Sequence, residues 1–333
     1  MSADIKGVTS IRAAAPDCVW AIANRTIYHF NGNKWREQWT APTELFGLAV
    51  ADKNNAWVLG ADGSVYAYKN SRWESEHVAE SLWVIATAGA GLVFGLAEAG
   101  RIYRHRGGRW ELVADLGQIF HIEVEGYDSF DPMDLLVVDE SHLWCAGNSS
   151  YDVSGEEEIY NFVYFNNGFK WERQLDDLAK AAVGAGDYDA PDDAGGAIDS
   201  LYGTSPDYTV AMGGVGDSTC MYVRRHSEWN LLRSPDYPYR PVDAVLSGGF
   251  GMLQTYWPRF ILNENNSWGI GSEPESTAQS VFFYDGTEWH RQYRIPELEG
   301  MDGIGAHRQM NSIFALDEDH VWMAGDGIFS FSR

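Results

Sequence analysis

The stretch AWVLGADGSVYAYKNSRW, residues 56 to 73, decides the architecture, because the chain repeats it on either side. VWAIANRTIYHFNGNKW fills residues 19 to 35 and VFGLAEAGRIYRHRGGRW fills residues 93 to 110. Looser copies end in FNNGFKW at Trp171, RRHSEW at Trp229 and FYDGTEW at Trp289. A fixed self-similar period marks units that cannot bury their own apolar face alone. Apolar residues alternate at period two and aromatic and β-branched types dominate, so the unit is β.

Around the quoted stretch, Phe46 to Val50 reads as a first strand and Ala56 to Gly60 as a second. Ser64 to Lys69 reads as a third strand and Arg72 to Val78 as a fourth. The turn before the closing Trp holds Asn31-Gly32, Gly107-Gly108, Asn167-Gly168 and Asp285-Gly286. Such pairs predict two-residue type I′ hairpins with φ > 0 at both central positions. Trp20, Trp57, Phe94, Trp144, Val210, Trp268 and Trp322 head seven second strands.

Four antiparallel strands repeated seven times predict a seven-bladed β-propeller in one domain over residues 1–333. The blades are expected at about 8–40, 45–79, 82–115, 134–176, 198–233, 242–294 and 310–333 plus 1–7. The last copy, SIFALDEDHVWMAGDGIFSFSR, stops after its third strand. Residues near Ala3 to Lys6 are expected to supply the missing outer strand, since an open edge invites mispairing. The six closing Trps are expected to stack between neighbouring blades.

These phrases resemble the Trp-rich bacterial propeller repeats of the tectonin-like and sialidase-repeat-like kind. The resemblance covers nearly the whole chain and implies a fold, with a glycan-binding lectin as one functional option. The Asp-box spelling of the sialidase repeats is absent, so no catalytic residue carries over.

Charge separates the chain into regions. The net charge is −24, and residues 123 to 199 hold 19 Asp and Glu against Lys170, Arg173 and Lys180, a balance of −16. Residues 1 to 122 are neutral, with 12 acidic and 12 basic side chains. Nucleic acid is therefore a poor partner and a basic protein a better one. Closing Trps lie 38 and 37 residues apart at first, then 61, 58 and 60. The added length falls between second and third strands (148–158, 213–219, 271–280) or between one copy and the next (112–134, 173–199, 231–248, 291–309). Alternating strand direction puts both kinds of connection at one side of the disc, where per-repeat insertions commonly mark a binding face.

The candidate partner-binding residues follow from that placement. Tyr127, Asp128 and Asp131 are expected in the first crossover. Tyr151, Asp152, Glu156, Glu157 and Glu158 are expected in a loop between second and third strands. Asp187, Tyr188, Asp189, Asp192 and Asp193 are expected in the second crossover. Tyr beside acid is what a protein interface uses as anchor and rim.

The run from Asp187 to Asp193 alternates oxygen ligands of the kind Ca²⁺ takes, but lacks the Gly and Glu of an EF-hand loop. No cofactor and no metal is expected, with Ca²⁺ held as a secondary option. His142 and His320 occupy equivalent turns, DESHLW and DEDHVW, which predicts a structural role. No GxSxG, HExxH, P-loop or GxGxxG motif in strand–helix context is present, so no enzyme is expected. Cys18, Cys145 and Cys220 lie far apart, as buried reduced thiols would. MSADIKGVTSIRAAAPD has no apolar h-region and no run could span a bilayer, which predicts a cytoplasmic chain without a membrane partner, or one exported by a route that leaves no Sec-type signal. The expectation is a non-enzymatic propeller whose acidic loop face binds a basic protein, in its most specific form an immunity-type inhibitor of a cationic toxin. A tectonin-like lectin and a metal-dependent hydrolase at the central tunnel are the alternatives.

Overall fold

In the computed structural model nearly every described residue lies in a strand or a tight turn. The structure describes residues 2–123, 129–153, 156–175, 197–215, 218–225, 228–232, 259–263, 265–272, 279–285, 289–294 and 310–331. A short β1 (Ser2–Ala3) precedes the first sheet, β2 (Val8–Ala15), β3 (Cys18–Ala23), β4 (Thr26–Phe30) and β5 (Trp35–Thr40). The second sheet is β6 (Leu45–Asp52), β7 (Asn55–Gly60), β8 (Val65–Lys69) and β9 (Arg72–Glu76). The third is β10 (Leu82–Thr87), β11 (Val93–Ala97), β12 (Arg101–Arg106) and β13 (Arg109–Asp115), followed by helix α1 (Leu116–Glu123). The fourth is β14 (Ser129–Asp139), β15 (His142–Val153), β16 (Glu156–Asn166) and β17 (Trp171–Leu175). The fifth is β18 (Ala197–Ser205), β19 (Tyr208–Val215), β20 (Ser218–Arg225) and β21 (Glu228–Leu232). The sixth is β22 (Arg259–Asn263), β23 (Asn266–Ser272), β24 (Gln279–Tyr284) and β25 (Trp289–Arg294). β26 (Met310–Asp317), β27 (His320–Gly325) and β28 (Gly327–Phe331) end the chain.

Six sheets thus consist of four consecutive strands, and a further one is composite, in the order β1-β28-β27-β26. Its outer strand is Ser2–Ala3, antiparallel to Phe329 and Ile328, a shorter segment than the expected Ala3 to Lys6. The fourth sheet starts at Ser129 rather than at 134, and β22 starts at Arg259 rather than at 242. The chain divides into two compact units, Met1–Asp62 with Tyr66–Glu74 and Asp236–Arg333, and Gly63–Val65 with Ser75–Pro235.

Each unit builds its core from second-strand side chains. Trp20, Trp57, Trp144 and Trp268 are fully buried. In the first unit Trp73 meets Trp20 edge-on, with ring centroids 5.5 Å apart and planes at 88°. In the second unit Trp229 meets Trp144 in the same way, at 5.7 Å and 84°. A closing Trp therefore packs on the second-strand Trp of the preceding sheet, as the repeat predicts. Edge-on aromatic pairs of this kind add about 0.5–1.5 kcal/mol beyond their buried area. Trp171 joins the cluster around Phe94 and Trp35 the cluster around Trp322. Trp110 instead donates its indole N–H to Glu76 Oε2 at 2.9 Å.

Three local devices recur, and the sequence reading missed two of them. The first is the Asp turn between first and second strands. The Asp139 carboxylate accepts from the Ser141 N–H at 2.7 Å and contacts His142 Nδ1 at 2.8 Å. Asp317 does the same with the Asp319 N–H and His320, and Asp52 with the Asn54 N–H and Asn55. His142 and His320 open β15 and β27 just after these turns, where each contacts the turn Asp.

The second device is a bulge near the start of the first strand. Thr9, Trp83, Met133, Asp199 and Asn311 are each an extra residue there, and Phe46-Gly47 opposes Leu59 alone. The residue before each bulge pairs with a small one: Ala23, Gly60, Ala97, Gly147, Gly213 or Gly325. A kinked strand comes too close for a larger side chain. A Cβ on Gly147 would stand 2.1 Å from the Asp131 carbonyl oxygen. The third device is a bulge in the closing strand, where Gln38, Val113, Gln174 and Gln292 are the extra residues.

The closing turns correct the hairpin expectation. Gly107-Gly108 does form a two-residue turn with both φ positive, and so does Asn70-Ser71, which has no glycine. Asn31-Gly32 and Asn167-Gly168 instead begin four-residue loops between Phe30 and Trp35 and between Asn166 and Trp171. Only the Gly has positive φ in each. The Asn side-chain oxygen accepts from the N–H groups two and three residues on, which fixes the longer loop. Gly286 lies outside the described residues.

Candidate functional site

In a sheet of four antiparallel strands, the turn from second to third strand shares its end with the start of the first and the exit of the fourth. At that end the fourth sheet departs from its sisters. β14, β15 and β16 run 11, 12 and 11 residues, where β6, β7 and β8 run 8, 6 and 5. The residues expected as a loop between Asn148 and Glu158 are a continuous hairpin, paired from Leu143 with Asn166 out to Val153 with Glu156.

Tyr151, Asp152, Glu156, Glu157 and Glu158 accordingly lie in strands and not in a loop. Their register sets Tyr151 opposite Glu158 and Asp152 opposite Glu157. Like charges directly opposite in an antiparallel pair are destabilising. Asp131 is likewise in β14, opposite Asn148, and accepts from Ser129 Oγ at 2.6 Å. The first crossover, expected to be loop, holds α1, whose third N–H group, that of Gln118, is capped by Asp115 Oδ1 at 2.9 Å. Tyr127, Asp128, Asp187, Tyr188, Asp189, Asp192 and Asp193 lie outside the described residues.

Neighbouring polar groups brace this end. Asp134 Oδ2 accepts from the Leu201 N–H at 2.8 Å, and Asn161 Oδ1 from the Ile198 N–H at 2.7 Å. Both bonds tie the fourth sheet to the fifth. Asp134 therefore has a structural task within the acidic segment.

Within the second unit, the bulge residues of three successive sheets sit toward the same end. Trp83 is 41% exposed, Met133 is 42% exposed, and Asp199 is exposed too. The equivalent positions in the first unit hold Thr9, Asn311 and Phe46, which is 42% exposed as well. Trp and Met left half in water are residue types enriched in interface cores. The sequence signal was present, since each bulge residue precedes its second-strand aromatic by 11 residues in the first three copies. It was passed over because nothing in a period-two pattern marks an extra residue.

Buried titratable groups elsewhere are structural. Burial pushes the Cys18 and Cys145 thiols up, which leaves them protonated and inert. Burial against Trp20, with ring centroids 4.2 Å apart, pulls the His29 imidazole below its ordinary value, partly offset by Asp17. Arg224 lies 4.9 Å over the Trp144 ring and donates to the Pro206 carbonyl, and burial lowers its pKa. Among the described residues no group of three or more His, Cys, Asp or Glu could hold a metal ion. Among them, too, no helix is long and apolar enough to cross a membrane.

Solved structures similar to this chain place the fold. The chain is similar to YCF48 bound to D1 peptide at 12% identity and a TM-score of 0.57, covering 100% of this chain and 96% of that one. It is similar to the WD40 β-propeller domain of Doa1 at 10% identity and a TM-score of 0.55, covering 100% and 95%. It is also similar to the GH74 xyloglucanase from Xanthomonas campestris at 11% identity and a TM-score of 0.58, covering 99% of this chain and 53% of that one. No protein-family model and no curated protein matches the chain. The fold class is therefore an all-β β-propeller with four-stranded antiparallel blades. The three proteins have different tasks, so the likeness carries the fold and not an activity.

Proposed function

We propose that the chain is a non-enzymatic protein-binding propeller, one domain of seven blades. Its acidic connection end takes a basic protein inside the cell. The observation that carries the reading is the fourth-sheet hairpin, whose register gathers Asp152, Glu156, Glu157 and Glu158 at the end of an elongated sheet. Such a grouping costs stability in the free chain and is relieved by a cation. Trp83 and Met133 supply apolar anchors beside it, and the −16 balance of residues 123 to 199 would speed capture of a cationic partner. YCF48, to which the chain is similar in fold, is bound to a D1 peptide, which supports this reading. In its most specific form the partner is a cationic toxin and the chain its immunity-type inhibitor. A lectin repeats one pocket per blade, whereas the bulge positions here hold Thr9, Phe46, Trp83, Met133, Asp199 and Asn311.

Capture of partners from a lysate, repeated with Glu156→Lys, Glu157→Lys and Glu158→Lys together and separately with Trp83→Ser and Met133→Ser, tests the reading. A basic protein held by the parent chain should be lost from the charge-reversed one and weakened on the other. A partner held equally by all three chains would remove this end of the sheets as the site.

A further inference from the structure

We infer that the outer strand of the third sheet, β13, is a contact between two copies of this chain. The repeat supplies its own control. At the closing-strand bulge the first, fourth and sixth sheets carry Glu37-Gln38, Arg173-Gln174 and Arg291-Gln292. The third sheet carries Leu112-Val113 at the same two positions, 53% and 50% exposed. β13 is an edge strand, and exposed aliphatic edges are what proteins ordinarily protect with charge.

Set two copies of β13 antiparallel about Leu112, as a two-fold axis would. Leu112 then meets the partner's Leu112, and Glu111 meets the partner's Val113. Arg109 meets the partner's Asp115 at both ends of the contact. The same operation on the sister strands opposes Glu37 to itself, Arg173 to itself and Arg291 to itself. On β9 the equivalent residue is Ser75, which is polar, and Arg72 there already pairs with Glu74. Like charges at the axis oppose pairing in the first, fourth and sixth sheets, whereas β13 carries Leu there, flanked by Arg109 and Asp115. The bulge at Val113 interrupts a regular backbone ladder, so side chains make the contact. Arg106 and Arg109 face each other across the Gly107-Gly108 turn, and the partner's Asp115 relieves one of that pair. Asp115 keeps its bond to the Gln118 N–H through Oδ1.

The contact is small, so the dimer is weak and reversible. Sedimentation equilibrium of the full chain from about 1 to 200 µM, the range in which so small an interface is populated, should show a monomer–dimer equilibrium. Leu112→Arg with Val113→Gln installs the residues β17 and β25 use at this bulge, so the sheet keeps its fold, and association should vanish. Arg109→Asp alone and Asp115→Arg alone should each weaken it by about tenfold or more. The two together should restore it, although the helix cap remains lost. A chain that stays monomeric throughout, or a dimer unmoved by the Leu112 and Val113 changes, overturns the inference. So does a charge swap that fails to recover what each single change removes.

Discussion

The second and fourth sheets follow one plan and end differently. Their middle strands match residue for residue from the buried Trp: Trp57-Val58-Leu59-Gly60 beside Trp144-Cys145-Ala146-Gly147. Past that tetrapeptide β7 stops, whereas β15 continues for six more residues to Val153. The extension leaves the core contacts of the repeat in place and adds acid at one end only. Stability and recognition thus occupy separate lengths of the same strands, so one can change without the other.

The comparison is sharpest at the two Trps. Trp57→Ala and Trp144→Ala should each cost about 3–5 kcal/mol in urea unfolding, since both are wholly buried aromatics. A much smaller loss at Trp144 would mean that the long hairpin, and not the shared core, holds the fourth sheet. The glycines come next. A Cβ at Gly60 would press on the tips of Thr43, Asp62 and Tyr66, which can turn aside. At Gly147 it would press on the backbone of Asp131 and Pro132, which cannot. Gly147→Ala should therefore cost about 2–3 kcal/mol and Gly60→Ala about 1, with thermal unfolding as the readout. Equal losses would show that extending β14 does not tighten the bulge.

The smallest expected effect concerns pH. Burial alone would raise the Asp139 carboxyl, but the Ser141 N–H and the His142 ring outweigh it, and the group sits below its ordinary 3.8. As pH falls the unfolded chain takes this proton first. The contribution is therefore complete above about pH 4 and is lost as pH drops through the lower native value. It should amount to under about 1 kcal/mol, because both partners are partly in water. Comparing acid unfolding of the parent with Asp139→Asn checks the sign: the variant should lose part of the acid-induced decline.

The sheets were legible because their cause is local. Alternation and a recurring Trp are properties of adjacent residues, and both survive in a single sequence. The third sheet runs over residues 82 to 115. The hairpin of Tyr151 to Glu158 was not legible, since a run as acidic as EEE carries no strand preference of its own. Along its strands Ser149, Ser150 and Asn161 are buried, Ser150 Oγ contacts Ser129 Oγ, and Asn161 bonds the Ile198 N–H of the fifth sheet. Asn31-Gly32 misled for a related reason: loop length depends on where the flanking strands stop pairing, not on the dipeptide. The bulges escaped because register belongs to two strands at once.

The pairing of Ser2 and Ala3 with Phe329 and Ile328 also sets an order of events. Six sheets join stretches of chain close in sequence and can assemble while the protein leaves the ribosome. The composite sheet closes later, since its outer strand Ser2–Ala3 pairs with Phe329 and Ile328, far along the chain. Contacts of so large a sequence separation form slowly in general. A fragment missing either extremity would retain six sheets and leave a raw edge on the seventh.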